Sequence, residues 1–203
     1  MTDNLLHIHP VFDRMLGRAA KEEKLRQHAA VFWLTGLSGS GKSTLAIALE
    51  NALFELGYLT QILDGDNIRS GINNNLGFSE DDRRENIRRI AEVARLFVQC
   101  GVITINSFVS PTRAMRQQAR EIIGDDFYEI YVNAPLEVCE ERDVKGLYKK
   151  ARRGEIPNFT GIHQPYEAPT HPDLEINTAQ QDLQTSLHLL LEFVLPIIRK
   201  KTQ

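Results

Sequence analysis

The chain has little cysteine, no long apolar run and no large excess of either charge, and each shortage removes a class of function. Two cysteines in 203 residues, Cys100 and Cys139, are too few for a disulfide framework. No Cys/His spacing suggests zinc, so both read as reduced, partly buried thiols of a cytoplasmic protein. His7 and His9 can face the same way on an extended segment, but two histidines do not make a metal site. No apolar stretch approaches the length of a membrane span, and Met1–Pro10 lacks a basic region leading into an apolar core. Neither a membrane nor a secretory signal is therefore expected. The net charge of −3 argues against a nucleic-acid polymer as partner, because such binding requires many phosphates to be neutralised. There is no internal repeat and no low-complexity tract.

What is present is an alternation of strand-like and helix-like segments. Strands are expected at Val31–Thr35, Tyr58–Leu63, Val102–Phe108, Phe127–Val132 and Leu174–Ile176. Helices are expected at Thr44–Leu56, Asp81–Cys100, Pro111–Ile123, Leu136–Arg142 and Ala179–Arg199, with Gly57 and Gly101 ending the first two. A further helix is expected over residues 11–28, where Phe12, Met15, Leu16 and Ala19 fall at helical spacing. Alternation of this kind implies an α/β fold, a parallel sheet with helices on both faces. Ligands of such sheets bind outside the carboxyl ends of the strands. One segment, 143–172, breaks the pattern: it is dense in Lys, Arg, Gly and Pro yet contains Phe159 and Tyr166. A loop of that length inside a compact domain reads as a lid.

Gly36-Leu37-Ser38-Gly39-Ser40-Gly41-Lys42-Ser43-Thr44 follows the first strand and opens a helix, which is the setting a phosphate-binding P-loop requires. Its glycines let successive N–H groups turn toward a polyphosphate. Lys42 can reach the β- and γ-phosphates, the Ser43 hydroxyl can ligate Mg²⁺, and the helix dipole adds to both. The chain is thus expected to bind a nucleoside triphosphate.

Two more strand ends face the same crevice. Asp64-Gly65-Asp66-Asn67-Ile68-Arg69 offers a carboxylate for Mg²⁺ or for a hydroxyl proton, and also suits a plain turn. Ser79 reads as the N-cap of the next helix, with Asp82 completing a capping box. Ile87, Ile90, Ala94, Phe97 and Val98 form its core stripe, and Arg83 and Asn86 share a different face. Arg84, Arg88, Arg89 and Arg95 read as solvated or paired with Glu85 and Glu92. Arg69 and Arg83 beside a P-loop suggest a second anionic substrate. At the third strand end, Pro111 suits a first helical turn, which makes Ser110 the expected cap. A Ser110 hydroxyl facing the crevice is the alternative.

GLSGSGKST, DGDNIRSGINNNLGFSEDDRRENIRRIAEVA, FVSP and KGLYKKARRGEIPNFTGI-x-x-PYEAP, in that order, resemble adenylyl-sulfate kinases from about Val31 to Thr178. The resemblance implies a P-loop, nucleotide-kinase-like fold with a lid at about 143–172, in a kinase domain over 30–203 behind a mainly helical extension over 1–29. It implies transfer of the γ-phosphoryl of ATP to the 3′-hydroxyl of adenosine 5′-phosphosulfate, with Mg²⁺ as cofactor. By that resemblance Asp66, Asn67, Arg69, Phe78, Arg83, Asn86, Val109, Lys145 and Phe159 hold adenylyl sulfate, its adenine between the two phenylalanines. ATP falls to Gly36, Ser38, Gly39, Ser40, Gly41, Lys42, Ser43 and Thr44, with Arg142 and Thr178 near its base. Lys42, Asp66 and Ser110 are the catalytic candidates, Ser110 as a phosphoserine in the family pattern, and Ser43 and Asp66 the metal candidates. His163 and Thr112 depart from the family, which more often has Asp and an aromatic or His there. A homodimer is left open.

Three other functions fit the sequence less well. A GTPase-like switch would need Asn-Lys-x-Asp on a later strand end, and none occurs. A catalytically dead nucleotide sensor would show a damaged P-loop, whereas Gly36, Gly41, Lys42 and Ser43 are all present. A kinase for another small hydroxyl compound would not need both arginines and both phenylalanines.

Overall fold

The computed structural model describes His7 and residues 9–200. Five strands form the sheet: β1 (Val31–Thr35), β2 (Thr60–Asp64), β3 (Ile103–Ser107), β4 (Phe127–Asn133) and β5 (Leu174–Asn177). Their order is β2-β3-β1-β4-β5 and every pairing is parallel. The register aligns Asp64 with Ser107 and Leu34 with Ser107, so the carboxyl ends of β1, β2 and β3 finish side by side.

The pleat of β1 decides which helices cover which face, because successive side chains point to opposite sides. Phe32 and Leu34 pack against Leu45, Leu49 and Leu53 of α2 (Lys42–Glu55), and against Leu190, Val194 and Ile198 of α8 (Leu183–Ile198). Val31 and Trp33 face the other way. They meet Ile87, Ile90, Ala94 and Val98 of α4 (Glu80–Gln99), and Met115, Ala119 and Ile123 of α5 (Arg113–Ile123). All five β1 residues are fully buried, which is why Val-Phe-Trp-Leu-Thr lacks the polar alternation of a half-exposed strand. The expected core stripe of α4 is present, with Phe97 partly buried beside it.

Four expectations need correction. The helix expected over 11–28 is instead a 3₁₀ turn at Phe12–Arg14 and a separate α1 at Arg18–Leu25. Gly17, extended at φ −67° and ψ 158°, separates them, and Met15 and Leu16 are exposed rather than packed. The cap of α5 is Thr112, whose Oγ1 accepts from the Met115 N–H at 3.3 Å, and not Ser110. Asp64–Arg69 is more than a turn: Asp64 Oδ1 accepts the Asp66 N–H at 3.1 Å and caps α3 (Gly65–Ser70). Cys100 is exposed, whereas Cys139 is buried.

The segment 143–172 contains structure of its own. After α6 (Leu136–Arg142) comes α7 (Leu147–Arg152), whose Tyr148 and Ala151 are buried. Tyr148, Cys139 and Ala134 form a small apolar cluster with Leu37, Leu136, Phe159 and Ile162 packed against it. Phe159 meets Tyr148 edge-on at 5.0 Å between centroids. No helix among the described residues is long and apolar enough to cross a membrane.

Candidate active site

The carboxyl ends of β1, β2 and β3 open into a cavity of about 840 Å³. The P-loop forms one wall of it. Gly36 cannot be replaced without moving backbone, since a Cβ there would lie 2.4 Å from the Val132 carbonyl oxygen. At Gly39 (φ +77°) a Cβ would come within 2.9 Å of the Cys139 carbonyl oxygen. The loop is therefore pressed against β4 and α6, and only glycine fits at those two points.

Lys42 is only 7% exposed, and its Nζ donates to the neutral Leu37 carbonyl at 2.7 Å. Burial pushes its ammonium down to about 8, against the opposing pull of nearby Asp64 and Asp66. A buried ammonium held by a neutral carbonyl is a ready partner for a phosphate. Ser43 Oγ donates to Asp64 Oδ2 at 2.7 Å and lies 3.2 Å from Ser107 Oγ. Among the described residues no group of three or more His, Cys, Asp or Glu is placed to hold a metal. A site for Mg²⁺ does not require one, because Mg²⁺ keeps several waters and shares phosphate oxygens with one or two carboxylates. The hard oxygen donors Ser43, Asp64 and Ser107 fit that need.

On the far side, Arg69 lies 4.3 Å over the Phe78 ring and Arg83 lies 5.9 Å from it. Burial lowers both guanidiniums below their usual value, and for Arg83 the neighbouring Arg69 adds to the effect. Two partly desolvated cations side by side favour an anion between them. Arg83 also reaches the lid, donating to Thr160 Oγ1 at 2.9 Å and to the Asn158 carbonyl at 2.6 Å. Asn86 is buried, with its Oδ1 accepting from Asn73 Nδ2 at 3.0 Å. Between the two ends, Lys145 of the lid forms an ion pair with Asp66. Asp66 lines the same cavity as Lys42 and Arg69.

A family profile described as adenylylsulphate kinase matches residues 28–177. The chain belongs to the adenylyl-sulfate kinase family. It is similar to the adenylyl-sulfate kinase of Bacteroides thetaiotaomicron, 63% identical over 196 residues that span 96% of this chain and 98% of that relative. The corresponding protein of Phocaeicola vulgatus is 64% identical over 96% of each. Among solved structures, the Mycobacterium tuberculosis APS kinase CysC in complex with AMPPNP and APS superposes with a TM-score of 0.80. That match has 43% identity and covers 83% of this chain and 98% of that one.

As a member of the adenylyl-sulfate kinase family, the chain brings most of its expected site residues to one cavity. Ser38, Gly39, Gly41, Lys42, Ser43 and Thr44 line one end of it, with Arg142 and Thr178 beside them. Arg142 donates to the Thr178 carbonyl at 2.6 Å, and Thr178 Oγ1 to the Ser40 carbonyl at 2.7 Å, so these two brace the P-loop. Asp66, Arg69, Phe78, Arg83, Asn86, Val109, Ser110, Lys145 and Phe159 line the rest. Three expected residues do not line it: Gly36 and Ser40 shape the loop from behind, and Asn67 is exposed on α3.

Ser110 is 3% exposed and sits at φ +38°, unusual for a residue with a side chain. Its Oγ accepts from Trp33 Nε1 at 3.1 Å and donates to Thr35 Oγ1 at 2.9 Å. Asp64, which touches Ser43, was not among the expected site residues of this adenylyl-sulfate kinase family member. Its sequence signal is its place in the Asp64–Arg69 segment that offers a carboxylate, where the resemblance singles out Asp66 instead; the structure extends β2 to Asp64, one residue past the expected strand end.

Proposed function

We propose that this chain is an adenylyl-sulfate kinase that transfers the γ-phosphoryl of ATP to the 3′-hydroxyl of adenosine 5′-phosphosulfate. The observation that carries the reading is one cavity with two unlike ends: a P-loop with a buried lysine, and an arginine pair with two aromatic rings. Family membership selects the acceptor. Arg69 and Arg83 would hold its phosphosulfate, and Phe78 and Phe159, which both line the cavity, would flank its adenine.

Phosphoryl transfer needs positioning and charge neutralisation more than covalent help. Lys42 supplies positive charge at the transferred group. Ser43 and Asp64, with Ser107, would hold Mg²⁺, and its contribution when bound is to neutralise charge on the triphosphate. Asp66, bound by Lys145 rather than by Ser43, is left to accept the proton of the attacking hydroxyl. A phosphoserine at Ser110 would cost the hydrogen bond that its hydroxyl donates to Thr35 and place a phosphate on a 3% exposed side chain, which supports direct transfer.

The test is an ADP-release assay with ATP, Mg²⁺ and either adenylyl sulfate or AMP. Turnover with adenylyl sulfate and little with AMP is expected, since AMP lacks the sulfate that the arginine pair would hold. No turnover with adenylyl sulfate overturns the reading.

A further inference from the structure

Arg116 lies on the first turns of α5, outside the cavity lining, and is 3% exposed. Its guanidinium ties together three pieces of chain. Nε donates to Glu129 Oε1 on β4 at 2.5 Å, Nη1 to the Ser110 carbonyl at 2.7 Å, and Nη2 to the Glu167 carbonyl at 2.6 Å. It also lies 5.7 Å from the centre of the Tyr166 ring. Two of the three, the Ser110 turn and the Glu167 segment, are joined by further bonds: the Glu167 N–H to the Pro111 carbonyl at 2.8 Å, and the Arg113 N–H to Glu167 Oε2 at 2.8 Å. Tyr166 completes the junction, stacking on Tyr131 and sharing a hydrogen bond with Thr35 at 2.9 Å.

A buried ion pair is weak evidence for stability, because apolar residues of the same volume often serve as well. A planar fork does something that apolar packing cannot, which is to fix the directions of several acceptors at once. Here two of those acceptors are backbone carbonyls. One belongs to the strained turn at Ser110, beside Val109 on the cavity wall, and the other to the returning arm of the lid.

We propose that Arg116 is a positioning residue for the acceptor nucleotide, holding the Val109–Ser110 turn and the lid root at Tyr166–Glu167 as one unit. This rests on the assignment of the acceptor to that end of the cavity. ATP, held by the P-loop, touches neither segment in this reading.

The test compares three proteins: wild type, Arg116→Met with Glu129→Met, and Glu129→Gln. The double variant removes the fork together with its buried counter-charge, so it leaves no unpaired charge and is expected to fold. Glu129→Gln keeps an acceptor for Nε and spares both carbonyl bonds. Initial rates give kcat and the KM for adenylyl sulfate, calorimetry gives the Kd for ATP, and thermal melting gives Tm. The double variant should raise the acceptor KM by about tenfold or more and lower kcat, with the ATP Kd changed less than about twofold. Glu129→Gln should keep the acceptor KM near wild type even if its Tm falls. The proposal is overturned if the double variant keeps the wild-type acceptor KM, if ATP affinity falls in parallel, or if both variants track Tm alone. A wild type inactive on adenylyl sulfate would fail the functional reading before either variant is compared.

Discussion

Lys42 makes the binding of ATP a proton-linked event. Its ammonium, ordinarily near 10.5, stands at about 8 because it is buried, so holding it charged costs about 3 kcal/mol relative to water. A triphosphate supplies the missing counter-charge and returns the pKa upward. In the free protein Lys42 changes from mostly charged to mostly neutral as pH rises through about 8. Binding of ATP without acceptor should therefore draw in a fraction of a proton that grows with pH, reaching on the order of one proton at the alkaline end. Calorimetry in buffers of different ionisation enthalpy reads that uptake directly, and Lys42→Met supplies the baseline. ATP affinity should weaken by up to about tenfold per pH unit above 8. The folding linkage has a definite sign. Between pH 8 and 10.5 the unfolded chain carries the extra proton, so this group makes the free protein more stable as pH rises, and Lys42→Met removes that rise. Uptake that stays flat from pH 7 to 9, or persists in Lys42→Met, would refute the reasoning.

Other outcomes follow from single contacts. Ser110→Ala should retain kcat within a few-fold, with no phosphoserine at Ser110 in wild type incubated with ATP by mass spectrometry, while the variant loses about 1–3 kcal/mol in denaturant unfolding as Trp33 Nε1 is left unpaired. Arg83→Ala should raise the KM for adenylyl sulfate and leave the Kd for ATP unchanged in calorimetry; intact acceptor affinity would misplace the acceptor site. Asp66→Asn should lower kcat by about 10²–10⁴ with an unchanged Mg²⁺ requirement. Asp64→Asn, in contrast, should shift the Mg²⁺ concentration needed for half-maximal rate, because Asp64 and not Asp66 touches Ser43.

What could be read from the sequence was whatever depends on short spacing. The P-loop declares itself because its glycines, lysine and hydroxyl are neighbours in the chain, and the apolar run Val31–Leu34 beside it announces a buried central strand. The α4 stripe and its Ser79 cap are equally local, and Ser79 Oγ does accept the Asp82 N–H at 3.1 Å. Features set by contacts across the fold were hidden. Asp64 matters because β2 ends level with Ser107, within reach of Ser43 on another element. Arg116 looks like one more surface arginine until Ser110 and Glu167 close over it. The α3 segment was ambiguous because Asp-Gly-Asp-Asn suits a turn as well as a capped helix. Helical spacing over 11–28 overstates the helix because Gly17 opposes helix continuation and stands extended between the 3₁₀ turn and α1.

Arg83 is already occupied in this structure, by the Phe78, Asn158 and Thr160 oxygens. An anion arriving there enters into an exchange, replacing neutral acceptors of the chain with its own charged ones. Its net gain is only the difference between the two sets. On the proposed assignment of the acceptor, release is the reverse exchange, with the Asn158 carbonyl and Thr160 Oγ1 at hand to take the guanidinium back.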